Sequence, residues 1–228
     1  MTEHILDRPI WNALNTNHSG YALGGGNARR FEPDICPLGG VGDESEQSLQ
    51  ELSELVLQYG RLVIAQAAEL KLPDGLKILS QTTCEQMVLD NPNLDHEHDY
   101  KIERLSADDA DEMLALANLT MAGLFDKRTQ VLGEHWGIRH NGELVAMAGE
   151  RLKNPGLTEI SGVCTHPNFQ RRGLNKCICA DLAKRIIARG EQPYLHYYSS
   201  NEAAKALYQK LGFKVRQTLN VMEMASIK

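Results

Sequence analysis

The stretch Val163-Cys-Thr-His-Pro-Asn-Phe-Gln-Arg-Arg-Gly-Leu-Asn175 leads from a strand-like run into an apolar helical pattern. Pro167 ends the strand pattern, and the helical pattern begins directly after Gly173. The first turn of a helix carries backbone N–H groups without intrahelical partners, and here two arginines stand beside it. The turn is therefore a candidate binding site for a phosphate or pyrophosphate.

Strand and helix patterns alternate on both sides of this turn. Helices are predicted after the capping signals Ser106-x-x-Asp109 and Ser199-x-x-Glu202, and between Leu174 and Gly190. Asn141-Gly142 is a strong hairpin-turn signal. Strands are predicted at residues 100–105, 136–140, 144–151, 158–166, 193–198 and 213–225.

The order of these elements puts a crossover helix between the fourth and fifth strands. We therefore expect an α/β fold with a mixed, largely antiparallel sheet and helices on both faces. The last strand pattern, at 213–225, has too few residues to form two long strands. We expect it to be a single strand or a tight hairpin, with its sheet edge covered by the first segment or by a second subunit.

The first part of the chain has a different character. Residues 1–45 are rich in glycine and proline, a helix is predicted at 46–59, and three short strands are predicted at 61–66, 76–79 and 84–89. Residues 90–99 are polar and typical of a linker. These patterns predict a small α/β lobe at 1–95 and a second domain at 96–228.

Composition excludes several classes of function. The net charge of −6 argues against a nucleic-acid-binding surface and favours a cationic substrate. Five cysteines without a regular spacing are typical of reduced thiols, which predicts a cytoplasmic protein. No apolar run approaches the roughly 18 residues of a membrane span, so no membrane association is expected.

Two motifs carry a family resemblance. Gln170-Arg-Arg-Gly-Leu-Asn175 is similar to the pattern Gln/Arg-x-x-Gly-x-Gly/Ala, and Asn201 to Phe213 follows in the expected order. Together they resemble the GNAT superfamily of acyl-CoA-dependent N-acyltransferases over about residues 100–225. The runs 158–167 and 193–197 look most like its glycine N-acyltransferase-like branch.

The resemblance implies a GNAT-like fold with acetyl-CoA as the acyl-donor cosubstrate. It implies a bulge near Gly162, a splay from the neighbouring strand, and an oxyanion contact from the Val163 amide. Asn175 stands where the family has glycine or alanine. The coenzyme-binding residues implied are Val163, Cys164, Thr165, Gln170, Arg171, Arg172, Gly173, Leu174, Asn175, Asn201, Ala204 and Tyr208.

Catalytic roles follow from the same resemblance. Tyr208 would protonate the departing sulfur as a general acid. Glu159, eleven residues before Gln170, matches the carboxylate position of histone-type members and would assist deprotonation of the amine. Glu150 and a water remain alternative bases.

Other polar residues give weaker signals. Each of four histidines, His135, His140, His166 and His196, could titrate, although a lone histidine is more often structural. Residues 95–99, with His96 and His98, favour a solvated charge run over a metal site, so no metal is expected.

The sequence thus predicts an N-acetyltransferase that acts on a small-molecule or peptide amine, possible as a homodimer. The alternative is a catalytically weak acyl-CoA-binding regulatory or interaction module, for which Asn175 and the first lobe are the motivation.

Overall fold

The computed structural model describes residues 3–95, 98–121 and 124–227 of the 228-residue chain. Within these residues the α-helices are α1 (Pro9–Leu14), α2 (Glu46–Tyr59), α3 (Ala110–Met121), α4 (Leu174–Ala188) and α5 (Glu202–Lys210). The strands are β1 (Ala22–Gly25), β2 (Ala28–Phe31), β3 (Gly39–Val41), β4 (Leu62–Gln66), β5 (Leu76–Leu89), β6 (Glu103–Leu105), β7 (His135–His140), β8 (Glu143–Asn154), β9 (Leu157–Thr165), β10 (Gln192–Tyr198) and β11 (Phe213–Ser226).

Eight of these strands form one mixed sheet, in the order β4-β11-β5-β10-β9-β8-β7-β6. Strands β9 and β10 run parallel and are joined through α4, whereas the other described neighbours in this sheet are antiparallel. This arrangement confirms the predicted α/β class with a largely antiparallel sheet. None of the helices within the described residues is both long and apolar enough to span a membrane.

Several locally encoded elements lie where the sequence predicts them. Helix α2 begins after Ser45, whose hydroxyl accepts from the Ser48 amide, and ends at Gly60 with φ +83°. Asn141 and Gly142 both have positive φ in the turn between β7 and β8. These signals work because each depends on contacts within a few residues.

Two local predictions are wrong. Residues 76–79 and 84–89 belong to the single strand β5, because residues 80–83 stay extended by pairing with β11. The cap of α5 is Asn201, whose side chain accepts from the Ala204 amide at 3.0 Å, whereas Ser199 donates to Glu85. In both places polar residues that resemble a turn or cap take long-range partners instead.

The sheet includes strands from both sides of residue 95. Strand β5 lies between β10 and β11, and β4 pairs with the other side of β11. The first segment therefore covers both edges of the last strand, and residues 213–226 form one strand, as expected. The domain boundary at residue 95 itself stays a prediction.

Apolar clusters lie on both faces of this sheet. Helices α4 and α5 pack on one face around Ile178, Leu182, Leu195 and Phe213. On the other face, α1 and the chain from Phe31 to Leu38 pack around Leu152, Tyr194, Leu219 and Val221. The N-terminal segment, residues 3–95, is thus built onto the sheet.

Candidate active site

Strand β9 is interrupted by a bulge at Gly162. Ser161 pairs with Gly149 and Cys164 pairs with Met147, so Gly162 and Val163 stand opposite the single residue Ala148. Gly162 has φ +62°, a left-handed conformation that glycine adopts at low cost. The bulge implied by the resemblance is confirmed.

Beyond Ile160 the parallel strands β9 and β10 separate. Their pairing runs from Leu157 with Gln192 to Ile160 with Leu195 and then stops, while β10 stays paired with β5 as far as Tyr198. Residues 161–165 therefore turn one backbone edge toward an opening rather than toward a neighbouring strand. Such an edge can hydrogen-bond an extended ligand.

A cavity of about 500 Å³ occupies this opening. Ser161, Gly162 and Val163 line it from β9, and residues 196–198 line it from β10. Helix α5 contributes Asn201, Ala204 and Tyr208, and α3 contributes residues 118–120. The N-terminal segment supplies further lining residues: Pro9, Ile10, Leu38, Val63, Ala65 and Cys84.

The turn after β9 has the geometry of an anion site. Gly173 is left-handed at φ +80° and precedes the first residue of α4, and Arg171 is also left-handed at φ +63°. The first turn of α4 contains no acidic residue. Residues 170–173 are exposed, so their amides and the N-terminus of α4 are accessible to a phosphate.

Asn175 has a structural partner on β9. Its side-chain oxygen accepts a hydrogen bond from the Thr165 hydroxyl. Arg172 is held over the Phe169 ring at 4.8 Å and donates to the Asn168 carbonyl. The departure from glycine at position 175 thus ties the start of α4 to the end of β9.

Tyr208 is brought to the cavity by α5. Its side chain is 6% exposed, and its ring contacts Tyr197 and Phe213. Burial raises the pKa of Tyr208 well above its usual value, so the phenol stays protonated. The structure brings together Tyr208, Asn201 and Val163 around one cavity, as the sequence motifs suggest.

Glu159 has a different environment from the other predicted site residues. Its carboxylate accepts four hydrogen bonds: two from Arg151, one from the Leu152 amide and one from His196. The side chain is fully buried, and in the described part of the chain Arg151 and His196 line the cavity while Glu159 does not. Its acceptor positions are therefore all occupied.

The charge state of Glu159 follows from these contacts. Burial alone would raise the pKa of Glu159, but the charge and hydrogen bonds of Arg151, together with His196, lower it well below its usual range. A carboxylate that holds its charge so strongly is a weak base. This geometry argues against direct proton transfer from the substrate to Glu159.

His196 is fixed in one tautomer by its neighbours. The Gln86 side-chain oxygen accepts from Arg216, so the Gln86 amide nitrogen is the group that faces Nε2 of His196 at 2.9 Å. Nε2 must then accept, and Nδ1 carries the proton donated to Glu159 at 2.7 Å. The network thus orients the Nδ1–H group of the imidazole toward an ionised carboxylate.

The alternative base, Glu150, lies outside the main cavity. It is fully buried, and its oxygens contact Arg189 at 2.6 Å and Lys153 at 2.8 Å. Burial would raise the pKa of Glu150, but these two cations lower it below its usual value. This environment is typical of a structural ion pair.

The described residues give no support for catalysis by a cysteine or a metal. The side chains of Cys164, Cys177 and Cys179 are buried, and burial raises the pKa of the Cys164 thiol to about 11. Among the described residues, no group of His, Cys, Asp or Glu is arranged to hold a metal. His96 lies outside the described residues.

Sequence reasoning missed Arg151, Gln86 and the apolar residues of the N-terminal segment as parts of this site. Gln86 acts through partners far away along the chain, Arg216 and His196, whereas Arg151 pairs with Glu159 on the next strand. Their residue types alone give no signal for such contacts. The placement of Arg151 and Glu159 on adjacent predicted strands is a signal that could have indicated their ion pair.

Comparisons with known proteins agree with this geometry. The family model described as FR47-like protein matches residues 135–221. The N-alpha-acetyltransferase RimI of Mycobacterium tuberculosis is 36% identical over 81 residues, which are 34% of this chain. The chain spans half the length of that curated relative.

Solved structures extend the similarity to the whole chain. A Novosphingobium aromaticivorans protein described as a GNAT-family acetyltransferase is 33% identical, with a TM-score of 0.91 over 99% of this chain and 100% of the other. This chain belongs to the GNAT family of acetyltransferases. A GCN5-related N-acetyltransferase from Kribbella flavida, 15% identical, shares the fold with a TM-score of 0.65 over 95% of this chain and 96% of its own.

Proposed function

We propose that this chain is an acetyl-CoA-dependent N-acetyltransferase that moves an acetyl group to a primary amine by direct attack. The observation that carries the proposal is the opening between β9 and β10, which starts at the Gly162 bulge and leads along β9 to the turn at Gly173. An extended thioester-bearing arm and its pyrophosphate need these two features in this order.

Acetyl-CoA would bind with its pyrophosphate at the exposed turn of residues 170–175. There the α4 N-terminus and Arg171 supply donors and positive charge. The pantetheine arm would pair with the backbone of Val163, Cys164 and Thr165 along the edge that faces the opening. Asn201 already uses its side-chain oxygen to cap α5, so its amide nitrogen is the group available to the arm.

The chemistry is a transfer between nitrogen and sulfur. The amine nitrogen forms a bond to the acetyl carbon, the carbon–sulfur bond breaks, and the electron pair leaves on the thiolate. The Val163 amide would stabilise the oxyanion that forms in between. Tyr208, kept protonated by burial, would donate its proton to the thiolate and recover one from the solvent.

An amine must lose a proton before or during attack. Because Glu159 is saturated with hydrogen bonds, its assistance would be indirect: it holds Arg151 and His196 at the cavity wall. The amine proton would leave through water in the cavity. Glu150 is a less suitable base because it lies outside the cavity.

The proposal also includes four further predictions from the sequence. They are a glycine N-acyltransferase-like lineage, a small-molecule or peptide acceptor, a cytoplasmic location and a homodimer. The alternative of a non-catalytic module has lost one of its motivations, because Asn175 has a structural role toward Thr165.

The test is release of free thiol from acetyl-CoA by the purified chain with a panel of primary amines. We expect release, and product of the acetylated mass, with at least one amine. Acetyl-CoA binding by calorimetry without release across the panel would contradict the proposal.

Substitution Tyr208→Phe probes the general acid. We expect kcat to fall by about 100-fold or more while the Kd for acetyl-CoA changes little, because a phenyl ring keeps the packing but has no proton to donate. Tyr59→Phe, at the end of α2 and away from the cavity, is the matched control and should keep wild-type kcat. Equal losses of kcat and coenzyme affinity in Tyr208→Phe would count against the acid role.

A further inference from the structure

The cavity has an apolar wall that the N-terminal segment builds. We use this name for Ile10, Leu38, Val63 and Ala65 together with Val221 of β11. Val221 pairs with Ala65 across β11 and β4, and Leu38 forms a bridge to Val63. Four of the five residues are less than a tenth exposed, and all five line the cavity.

The apolar wall is held in position by hydrogen bonds and an ion pair of neighbouring residues. Gln86 donates to the Leu6 carbonyl at 3.0 Å, and Arg216 forms an ion pair with Asp7. The Val63 amide donates to the Pro37 carbonyl at 2.7 Å. The wall is therefore preformed, which lowers the entropic cost of binding a ligand against it.

The charged residues that line the cavity also limit which acceptor can bind. Among the described lining residues there is no aspartate or glutamate, and the one arginine is Arg151. Arg151 uses Nε and Nη2 for Glu159, and its Nη1 makes no hydrogen bond within residues 3–95, 98–121 and 124–227. A second ammonium group on a substrate would thus find the Arg151 guanidinium and neutral groups, with no carboxylate counter-ion among the described lining residues.

Cavity size limits the acceptor further. About 500 Å³ is near the lower end of the range for small-molecule pockets, and part of it must hold the acetyl end of the coenzyme. The remaining volume suits a compact molecule better than a polypeptide. The net charge of −6 favours cationic substrates in general. The acidic residues that produce it are not among the described residues that line the cavity.

We infer that the acceptor is a small primary amine with an apolar body and no second positive charge, and that its body lies against the apolar wall. This inference rests on the proposed function and specifies its substrate class. The N-terminal segment is then the part of the chain that selects the acceptor.

The test compares two amines with the same five-carbon chain, pentylamine and cadaverine, of which only cadaverine carries a distal ammonium. We expect kcat/KM for pentylamine to exceed that for cadaverine by roughly tenfold or more, since burying an unpaired charge is costly. The inference would be overturned if cadaverine, or a short peptide with a free N-terminus, had a kcat/KM equal to that of pentylamine. Acetyl-CoA binding without thiol release from any amine would instead refute the proposed function.

Substitutions at Ala65 make the test specific to the wall. Ala65→Leu should lower kcat/KM for pentylamine without changing the Kd for acetyl-CoA, because it fills the space for the acceptor alone. Ala65→Asp should shift the preference toward cadaverine by supplying a counter-ion. Ala67→Leu, two residues further and outside the cavity, is the matched control. Equal effects of Ala65→Leu and Ala67→Leu on pentylamine would contradict a role for the wall.

Discussion

Glu159 shows how the surroundings of a residue decide its chemistry. Its position in the sequence matches a catalytic carboxylate, but Arg151, Leu152 and His196 occupy all of its acceptor positions. In return, Glu159 neutralises a guanidinium at the cavity wall and fixes the imidazole. The same side chain therefore contributes to folding and shapes the site.

We predict that Glu159→Gln destabilises the protein by about 3–5 kcal/mol at neutral pH, because it leaves the Arg151 charge buried and uncompensated. Urea unfolding followed by circular dichroism measures this loss. Glu223→Gln is the control, since Glu223 pairs with Arg61 at the surface, and it should cost less than about 1 kcal/mol.

The pH dependence of this loss has a defined sign. The pKa of Glu159 is lowered in the folded state, so its contribution is present above the ordinary glutamate value of 4.5 and declines as the pH falls below it. The difference in unfolding free energy between wild type and Glu159→Gln should therefore narrow in acid. A difference that stays constant or widens between neutral pH and the acid limb would contradict the buried ion pair.

At the scale of elements, the turn between β9 and α4 depends on backbone conformation. Gly173 is left-handed, and a Cβ added there meets no atom within 4 Å. Gly156, in the hairpin between β8 and β9, has the same two properties at the opposite end of β9. Comparing alanine substitutions at these two glycines therefore separates the effect of backbone strain from the effect of a lost ligand contact.

We predict that Gly173→Ala and Gly156→Ala each destabilise the fold by about 1–2 kcal/mol, the cost of a left-handed alanine. Gly173→Ala alone should weaken acetyl-CoA binding, by roughly tenfold, because its Cβ points into the space that the pyrophosphate needs. Calorimetric titration with acetyl-CoA measures the affinity. Equal affinities of the two variants would show that the pyrophosphate does not approach Gly173.

The elements that the sequence predicts well are those encoded by neighbouring residues. Helix α2, the hairpin turn at Asn141 and the start of α4 depend on caps, positive φ and apolar spacing, which are visible in one stretch of sequence. The continuity of β5 is not visible in the sequence, because residues 80–83 are polar and become a strand only by pairing with β11. For the same reason the motifs select Tyr208 and Gly173 as candidates, whereas Gln86 and the apolar wall join the site only when distant segments meet.

At the scale of the molecule, the last strand depends on the first segment. Sequence motifs assign the coenzyme turn and α5 to the second part of the chain, and they suggest that this part is a domain of its own. In the described structure, however, β11 pairs with β4 and β5, and both strands come from before residue 95. Without them β11 would have no strand partner, and β10 would become an edge.

We therefore predict that the fragment 96–228 alone does not fold cooperatively, because it loses every strand pair of β11 and half of the pairing of β10. Circular dichroism during urea titration should show no sharp transition, in contrast to the full chain. Coexpression with a separate fragment 1–95 should restore both the transition and acetyl-CoA binding, since the missing strands can then pair in trans. A fragment 96–228 that unfolds cooperatively and binds acetyl-CoA by itself would show instead that the boundary at residue 95 separates an autonomous domain. The first segment would then serve acceptor binding rather than folding.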